Sequence, residues 1–246
     1  MTYTSSDERP VALIFGGSRG IGAAIAMRLA KDGYRVALTF VSSPRQAEKV
    51  AAAIREQGGT AMTLQADSSD PMAIQAAVTA VTEAFGPLDV AVVNAGVLRL
   101  AALKDLALAD LDIMLSVNIR GVVLALQASA AAMRDGGRLI TIGSNSAIRT
   151  GTATGAIYAM TKAAVAALVR GVALDLAPRR ITVNNVQPGP TETDMTSDMI
   201  SQLRDMVPLR RLNQPSEVAG LVSYLAGPEA GTITGASLTM DGGFVL

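Results

Sequence analysis

The 246-residue chain is half hydrophobic and carries 21 basic against 21 acidic residues, so no net field is available to attract nucleic acid or an anionic membrane. It contains no histidine and no cysteine, which excludes disulfides, thiolate nucleophiles and cysteine zinc sites and removes the commonest general base. Proton chemistry therefore falls to Tyr, Lys, Asp or Glu, no metal site is expected, and the length suits one large domain over 1–246.

The opening MTYTSSDERP has acids and no apolar stretch of the signal-peptide kind, and the longest weakly polar stretch, 121–133, is too short to span a bilayer. A soluble, cytoplasmic protein is expected. Strands are then predicted at 11–15 (VALIF), 35–40 (RVALTF), 60–65 (TAMTLQ), 88–93 (LDVAVV), 138–142 (RLITI), 181–186 (ITVNNV) and 236–240 (ASLTM). Most are continuous apolar runs, as parallel strands covered on both faces require. Helical signals lie between them: Ser43-Pro44 opens a helix that closes at Gly58-Gly59, and Asp70-Pro71 opens the next. The pattern predicts an α/β fold of the Rossmann type, a three-layer doubly wound architecture around a seven-stranded parallel sheet. Segments 121–133 and 155–176 are apolar on nearly every face, which predicts cover on both sides and a homo-oligomer, dimer or tetramer. A merely Ala-rich helix is the plain alternative.

Between the first strand and first helix stands Phe15-Gly16-Gly17-Ser18-Arg19-Gly20-Ile21-Gly22. Glycines there let the backbone turn sharply and approach a ligand, and free N–H groups at a helix start favour a pyrophosphate. The second strand ends Thr39-Phe40-Val41-Ser42-Ser43-Pro44-Arg45, with no carboxylate where a free ribose hydroxyl would call for one. Hydroxyls and positive charge from Arg19 and Arg45 would instead meet a 2′-phosphate, so NADP(H) is the expected cofactor, with Phe40, Ser42 and Ser43 at its edge. Arg19 and Arg45 as ordinary solvated charges are the alternative.

Several motifs then follow in one order: Gly16, Gly20 and Gly22, Asp67 with Ser68, Asn94-Ala95-Gly96, Asn118, Ser144, Tyr158 with Lys162, Pro188-Gly189 with Thr191 and Thr193, and Asp241-Gly242-Gly243. Together they resemble the short-chain dehydrogenase/reductase family across essentially the whole chain, most of all bacterial 3-oxoacyl-acyl-carrier-protein reductases, carbonyl reductases and biofilm-dispersal proteins of that fold. The resemblance implies an active site of Ser144, Tyr158, Lys162 and Asn118. It places Asp67 at the adenine, Asn94 along the cofactor path and Thr193 at the nicotinamide carboxamide. Three departures stand out: Phe15 where a Thr commonly precedes the first glycine, Val93 where an Asn is common, and fourteen rather than thirteen residues from Ser144 to Tyr158. The added residue is expected to bulge in loop 145–157.

Tyr158 and Lys162, four residues apart, face the same side of a helix. A free phenol titrates near ~10, so acid–base work near neutrality needs it lowered by about 2 to 3 pH units, or roughly 3 to 4 kcal/mol. An ammonium about 4 Å away supplies about 1 kcal/mol in water and about 4 kcal/mol at an effective dielectric near 20, so the pair must be buried to be useful. Lys162, with an oxidised nicotinamide, is expected to carry the phenol downward. Tyr158 would then protonate a carbonyl oxygen, Ser144 would bond that oxygen, Lys162 would hold the cofactor ribose, and Asn118 would position a water. Without this context a Tyr/Lys pair is an ordinary surface helix pair.

Segment 190–212, with Met195, Met199 and Met206, reads as a lid over apolar ketones. An acidic carrier protein would need a basic landing surface, for which Arg134, Arg138, Arg179 and Arg180 are the candidates, with Asp135 among them. The expected activity is NADP(H)-dependent reduction of a ketone or aldehyde to an alcohol. A 3-oxoacyl-thioester reductase, a non-catalytic dinucleotide-binding regulator, and a dehydratase or epimerase remain as alternatives, the last without a visible extra acid or base.

Overall fold

A computed structural model describes residues 8–246 apart from 152, 195, 198 and 199. The expectations attached to Met195, to Met199 and to the chain before Glu8 therefore lie outside the described residues. Seven strands run parallel: β1 (Val11–Phe15), β2 (Arg35–Phe40), β3 (Ala61–Gln65), β4 (Leu88–Val93), β5 (Met133–Ile142), β6 (Thr182–Pro188) and β7 (Ser237–Met240). They form one sheet in the order β3-β2-β1-β4-β5-β6-β7. The helices are α1 (Gly20–Lys31), α2 (Pro44–Glu56), α3 (Pro71–Phe85), α4 (Leu108–Leu115), α5 (Val122–Ala132), α6 (Ala156–Leu176), α7 (Ile200–Met206) and α8 (Pro215–Ala226). The doubly wound architecture is the expected one.

Alternation along each strand sorts the core into two layers. Ile14, Leu38, Val92, Ile140 and Val186 face one side with Ile25 and Leu29 of α1, Ala51 of α2 and Val222 of α8. Leu13, Phe15, Ala91, Leu139 and Val183 face the other with Val78 of α3, Leu126 of α5 and Val169 of α6. Both faces of β1 are thus covered, and all five of its residues are buried. Helix starts follow their sequence signals: Asp70 Oδ1 accepts from Met72 N at 2.9 Å, a cap of about 1 kcal/mol, with Pro71 at the first helical position.

Two sequence expectations change. β5 begins at Met133, five residues earlier than expected, because Met133 pairs with Leu88 before a register shift admits the Asp135–Gly137 stretch, where Gly136 takes φ +82. The stretch 121–133, too short by itself to span a bilayer, is part of a longer helix as far as Ala132. It continues α4 through a π-helical turn at Ser116–Gly121, giving 25 helical residues over Leu108–Ala132, and α6 extends to 24 over Ala156–Arg179. Both are long and apolar enough to cross a membrane, so the length argument against spanning fails. What these helices do in the fold is pack on the sheet, where they present Asn118 and Lys162 to the site.

Candidate active site

Strand order reverses between β1 and its neighbours β2 and β4, and ligands of such sheets bind beside the carboxyl ends of strands at that switch. The glycine turn leaves β1 there and Asn94-Ala95-Gly96 leaves β4 beside it. Gly16 has φ +76, and a Cβ on it would lie 2.9 Å from Ala95 Cα. A Cβ on Gly22 would lie 2.1 Å from Gly16 O and 2.5 Å from Asn94 Nδ2. Only glycine permits this approach. Asn94 Nδ2 donates to Gly16 O at 2.6 Å, and Gly16 N donates to Thr39 Oγ1 at 3.0 Å, so two neighbouring strands brace the turn.

The start of α1 fits a pyrophosphate. Arg19, at its N-cap, makes no side-chain capping bond, no acid stands in the first turn, and the orphan N–H groups meet no competing carboxylate from the helix itself. Ser18 and Gly20 lie in the turn, Ile21 packs into the core beneath it, and the Thr193 methyl approaches Gly20 closely enough to sit 3.3 Å from an added Cβ. Arg19 Nη1 lies 3.8 Å from Asp194 Oδ2, a weak pair because both side chains are largely exposed. Phe40 ends β2, Ser43 caps α2, and Ser42 and Arg45 are exposed beside them. Asp67 Oδ1 accepts from Ser69 N and Ser69 Oγ, each at 2.8 Å, which orders the loop after β3. The Ser68 carbonyl packs on Gly121, where a Cβ would be 2.1 Å away. Gly189 packs on Asp241, and Thr191 Oγ1 donates to Gly189 O at 2.9 Å, holding the loop after Pro188.

Ser144, Tyr158, Lys162 and Asn118 converge. Ser144 leaves β5 8% exposed, its Oγ accepting from Ser146 N and donating to Ser146 Oγ, both at 3.1 Å. Lys162 is 6% exposed; its ammonium donates to Ile142 O at 3.1 Å and lies 5.6 Å from the Tyr158 ring centroid. Burial holds that ammonium down at about 8. Burial also pushes the Tyr158 hydroxyl above its usual value, against a smaller opposing effect from its hydrogen bond to Ser144. The expected lowering of the phenol by Lys162 is therefore not supplied by the protein's own groups, because the ammonium is turned to a carbonyl rather than to the phenolic oxygen. Tyr158 as a whole is partly exposed although its hydroxyl is enclosed.

The Asn118 side chain is engaged by protein groups. It is 1% exposed and both ends of its amide are engaged: Oδ1 accepts from Val97 N at 2.9 Å, while Nδ2 donates to Val97 O at 2.9 Å and Thr161 Oγ1 at 3.2 Å. Thr161 Oγ1 in turn donates to Tyr158 O at 2.7 Å. Its side chain thus ties the loop after β4 to the start of α6, and the π-helical turn that carries it marks where regular helix gives way to that tie. Thr39, Thr161 and Ser146 escaped sequence reading; Thr161 at least stood inside the Tyr158–Lys162 spacing.

The departures from the common pattern are apolar filling, Phe15 and Val93 both being buried in the layer under α3, α5 and α6. Loop 145–157 begins with a 3-10 turn at Asn145–Ala147 that winds up chain length. The four candidate landing arginines are far from this site. Arg134 pairs with Asp89 and Arg179 with Asp135, at 3.8 and 2.9 Å, while Arg138 binds the carbonyls of Gly136 and Gly137. All lie at the opposite end of the sheet, where β5 and β6 begin, and Arg134 and Arg179 line a shallow groove of about 690 Å3 there.

Comparison with known proteins agrees with this geometry. Residues 16–245 match the family profile described as enoyl-(acyl carrier protein) reductase. A solved short-chain dehydrogenase/reductase from Serratia marcescens is 50% identical with a TM-score of 0.94, covering 96% of this chain and 98% of its own. A short-chain dehydrogenase from Burkholderia cenocepacia, solved in complex with NADP, is 45% identical with a TM-score of 0.93 and the same coverage of each chain. The cyclic-di-GMP-binding biofilm dispersal mediator protein of Escherichia coli K12 is 42% identical over 235 residues, 94% of this chain and 95% of its own.

Proposed function

The chain belongs to the short-chain dehydrogenase/reductase family of oxidoreductases, and from that premise we propose that it reduces a ketone or aldehyde to an alcohol with NADP(H). One observation carries the reading: Ser144 and Lys162 are both buried beside Tyr158 at the carboxyl end of the sheet, the Lys162 ammonium 5.6 Å from the centre of the phenol ring. Binding alone needs no such set. The glycine turn, the start of α1 and Asp67 would hold the cofactor, which supplies a hydride to the carbonyl carbon. Ser144 bonds the carbonyl oxygen, and the Tyr158 hydroxyl delivers its proton to that oxygen as the new C–H bond forms. Lys162 would hold the cofactor ribose and, together with an oxidised nicotinamide, would add the positive potential under the phenol that Lys162 alone does not supply, and Asn118 acts through Val97 and Thr161 as a positioning residue.

NADP(H) rather than NAD(H) follows from the missing carboxylate after β2, with the Burkholderia relative solved with NADP in support. A small or medium apolar ketone is favoured over a carrier-bound 3-oxoacyl thioester, since the landing arginines are spent on Asp89, Asp135 and carbonyls at the far end. A homo-oligomer would cover the outward apolar residues of α5 and α6, including Val123, Met160 and Leu174, the last 77% exposed. A cytoplasmic setting completes the reading.

NADPH oxidation should be screened against ketones, diketones, quinones and acyl thioesters, with wild type and Tyr158→Phe. The variant should bind NADPH as the wild type does and lose carbonyl reduction. Near-normal turnover by the variant would refute the role of the phenol. NADPH binding by a wild type that reduces nothing would favour a binding regulator instead.

A further inference from the structure

Segment 241–246 joins loop 145–151, which follows Ser144, to residues 207–209. On one side Asn145 Nδ2 donates to Asp241 Oδ2 at 3.2 Å, and Arg149 Nη1 donates to Phe244 O at 2.9 Å. The Arg149 guanidinium also lies over the Phe244 ring, 5.9 Å from its centroid, and Gly151 approaches so closely that a Cβ would stand 3.0 Å from the ring edge. On the other side Leu209 N donates to Gly242 O at 3.1 Å, while a Cβ on Gly243 would be 3.2 Å from Pro208. The Asp241 carboxylate stiffens the segment internally, accepting from Gly243 N at 3.0 Å and Val245 N at 3.1 Å. Phe244 is 8% exposed, so its ring is a wedge between loops rather than a surface side chain.

None of these contacts touches the catalytic set, yet all bear on its surroundings. Loop 145–151 starts at the residue after Ser144, and residues 207–209 follow directly on α7. A loop anchored at Asn145 and again at Arg149 and Gly151 cannot move outward unless the strap moves with it, and the strap's far edge rests on 207–209. Both segments therefore share one support. The ring fills the space beside Gly151 and the guanidinium fixes the ring, so the support has a definite size.

We propose that Phe244, gripped by Arg149, is a positioning residue that sets the width of the substrate pocket and thereby discriminates between bulky and small ketones; this rests on the reductase reading above. Removing the ring frees Gly151 and lets loop 145–151 relax away from Tyr158. Bulky ketones gain and small ones do not.

The experiment compares wild type, Phe244→Ala, Phe244→Tyr and Arg149→Lys on a small aliphatic diketone and a two-ring aryl ketone, with NADPH. Phe244→Ala and Arg149→Lys should lower KM for the aryl ketone by about fivefold relative to the diketone, with kcat on the diketone and KM for NADPH unchanged. Phe244→Tyr should restore the wild-type ratio, since it keeps the ring. Hydrogen exchange of the amides of Ala147, Ile148 and Arg149 should quicken in the first two variants only. If Phe244→Ala fails to fold, Arg149→Lys carries the same test. A wild type that reduces both ketones while the variants keep its KM ratio overturns the proposal alone. A wild type that reduces neither overturns the reductase reading and this specificity with it.

Discussion

Lys162→Met offers the most direct test of the site's physics, because it can be read without a substrate. Burial lowers Lys162 from 10.5 to about 8, so folding penalises its protonated form. The penalty is complete below about pH 8 and disappears as pH rises past 10.5. At about 1.4 kcal/mol per pH unit, the gap costs the folded state about 3 kcal/mol at pH 7, about 2 kcal/mol at pH 9 and about 1 kcal/mol at pH 10. Met has a similar length and no charge, so it escapes this cost but leaves Ile142 O without its partner, a pH-independent loss of about 1 to 3 kcal/mol. The two effects separate in a urea titration repeated from pH 7 to pH 10. Wild-type stability should climb relative to the variant by about 2 kcal/mol over that range, whatever their order at pH 7. Parallel curves would mean that the ammonium is hydrated rather than buried, and the proposed electrostatic role of Lys162 would fall with them.

Other consequences follow from single contacts. Asn118→Ala strips partners from both backbone groups of Val97 and from Thr161, and should cost about 2 to 4 kcal/mol in urea; an unchanged midpoint would show that the amide is dispensable. Gly22→Ala puts a methyl 2.1 Å from Gly16 O and should abolish NADPH binding in calorimetry, where wild-type affinity would contradict the close-packed turn. Asp194→Asn releases Arg19 and should tighten NADPH by about two- to fivefold while leaving NADH unaltered, the pair being exposed and weak; equal effects on both cofactors would place Arg19 away from the 2′-phosphate. Glu217 is drawn down to about 2, first by its hydrogen bond from Arg211 and next by Gln214 N, so it stabilises the fold above pH 4.5 and ceases to as pH falls towards 2. The melting difference between wild type and Glu217→Gln should be small because the pair is exposed, and should vanish across that window.

Much of the architecture was legible because parallel strands buried on both faces must be apolar throughout. VALIF and LDVAVV therefore announced β1 and β4 without any knowledge of their neighbours. The early start of β5 was hidden, since Arg134-Asp-Gly-Gly carries no strand signal and is drawn into the sheet by pairing with β4. The glycine turn was legible from its place between strand and helix. Its bracing by Thr39 and Asn94 was not, for those contacts cross 23 and 78 residues of chain.

The same division runs through the chemistry. Residue types and spacing put a phenol and an ammonium on one helical face and removed every histidine and cysteine as a competitor, because a helix of 3.6 residues per turn needs no partner to align positions 158 and 162. Where that ammonium points, and what it does to the phenol, depends on neighbours from other strands. The Ile142 carbonyl holds Lys162, burial raises Tyr158 and lowers Lys162, and Val97 takes Asn118 away from solvent. Of the four arginines that read as one surface, Arg134, Arg138 and Arg179 are engaged by Asp89, Asp135 and backbone carbonyls at the other end of the sheet. Alignment along a helix is local geometry, whereas desolvation and pairing are set by groups brought together from distant parts of the chain, so charge and proton affinity could be read from the folded protein and not from the string of residues.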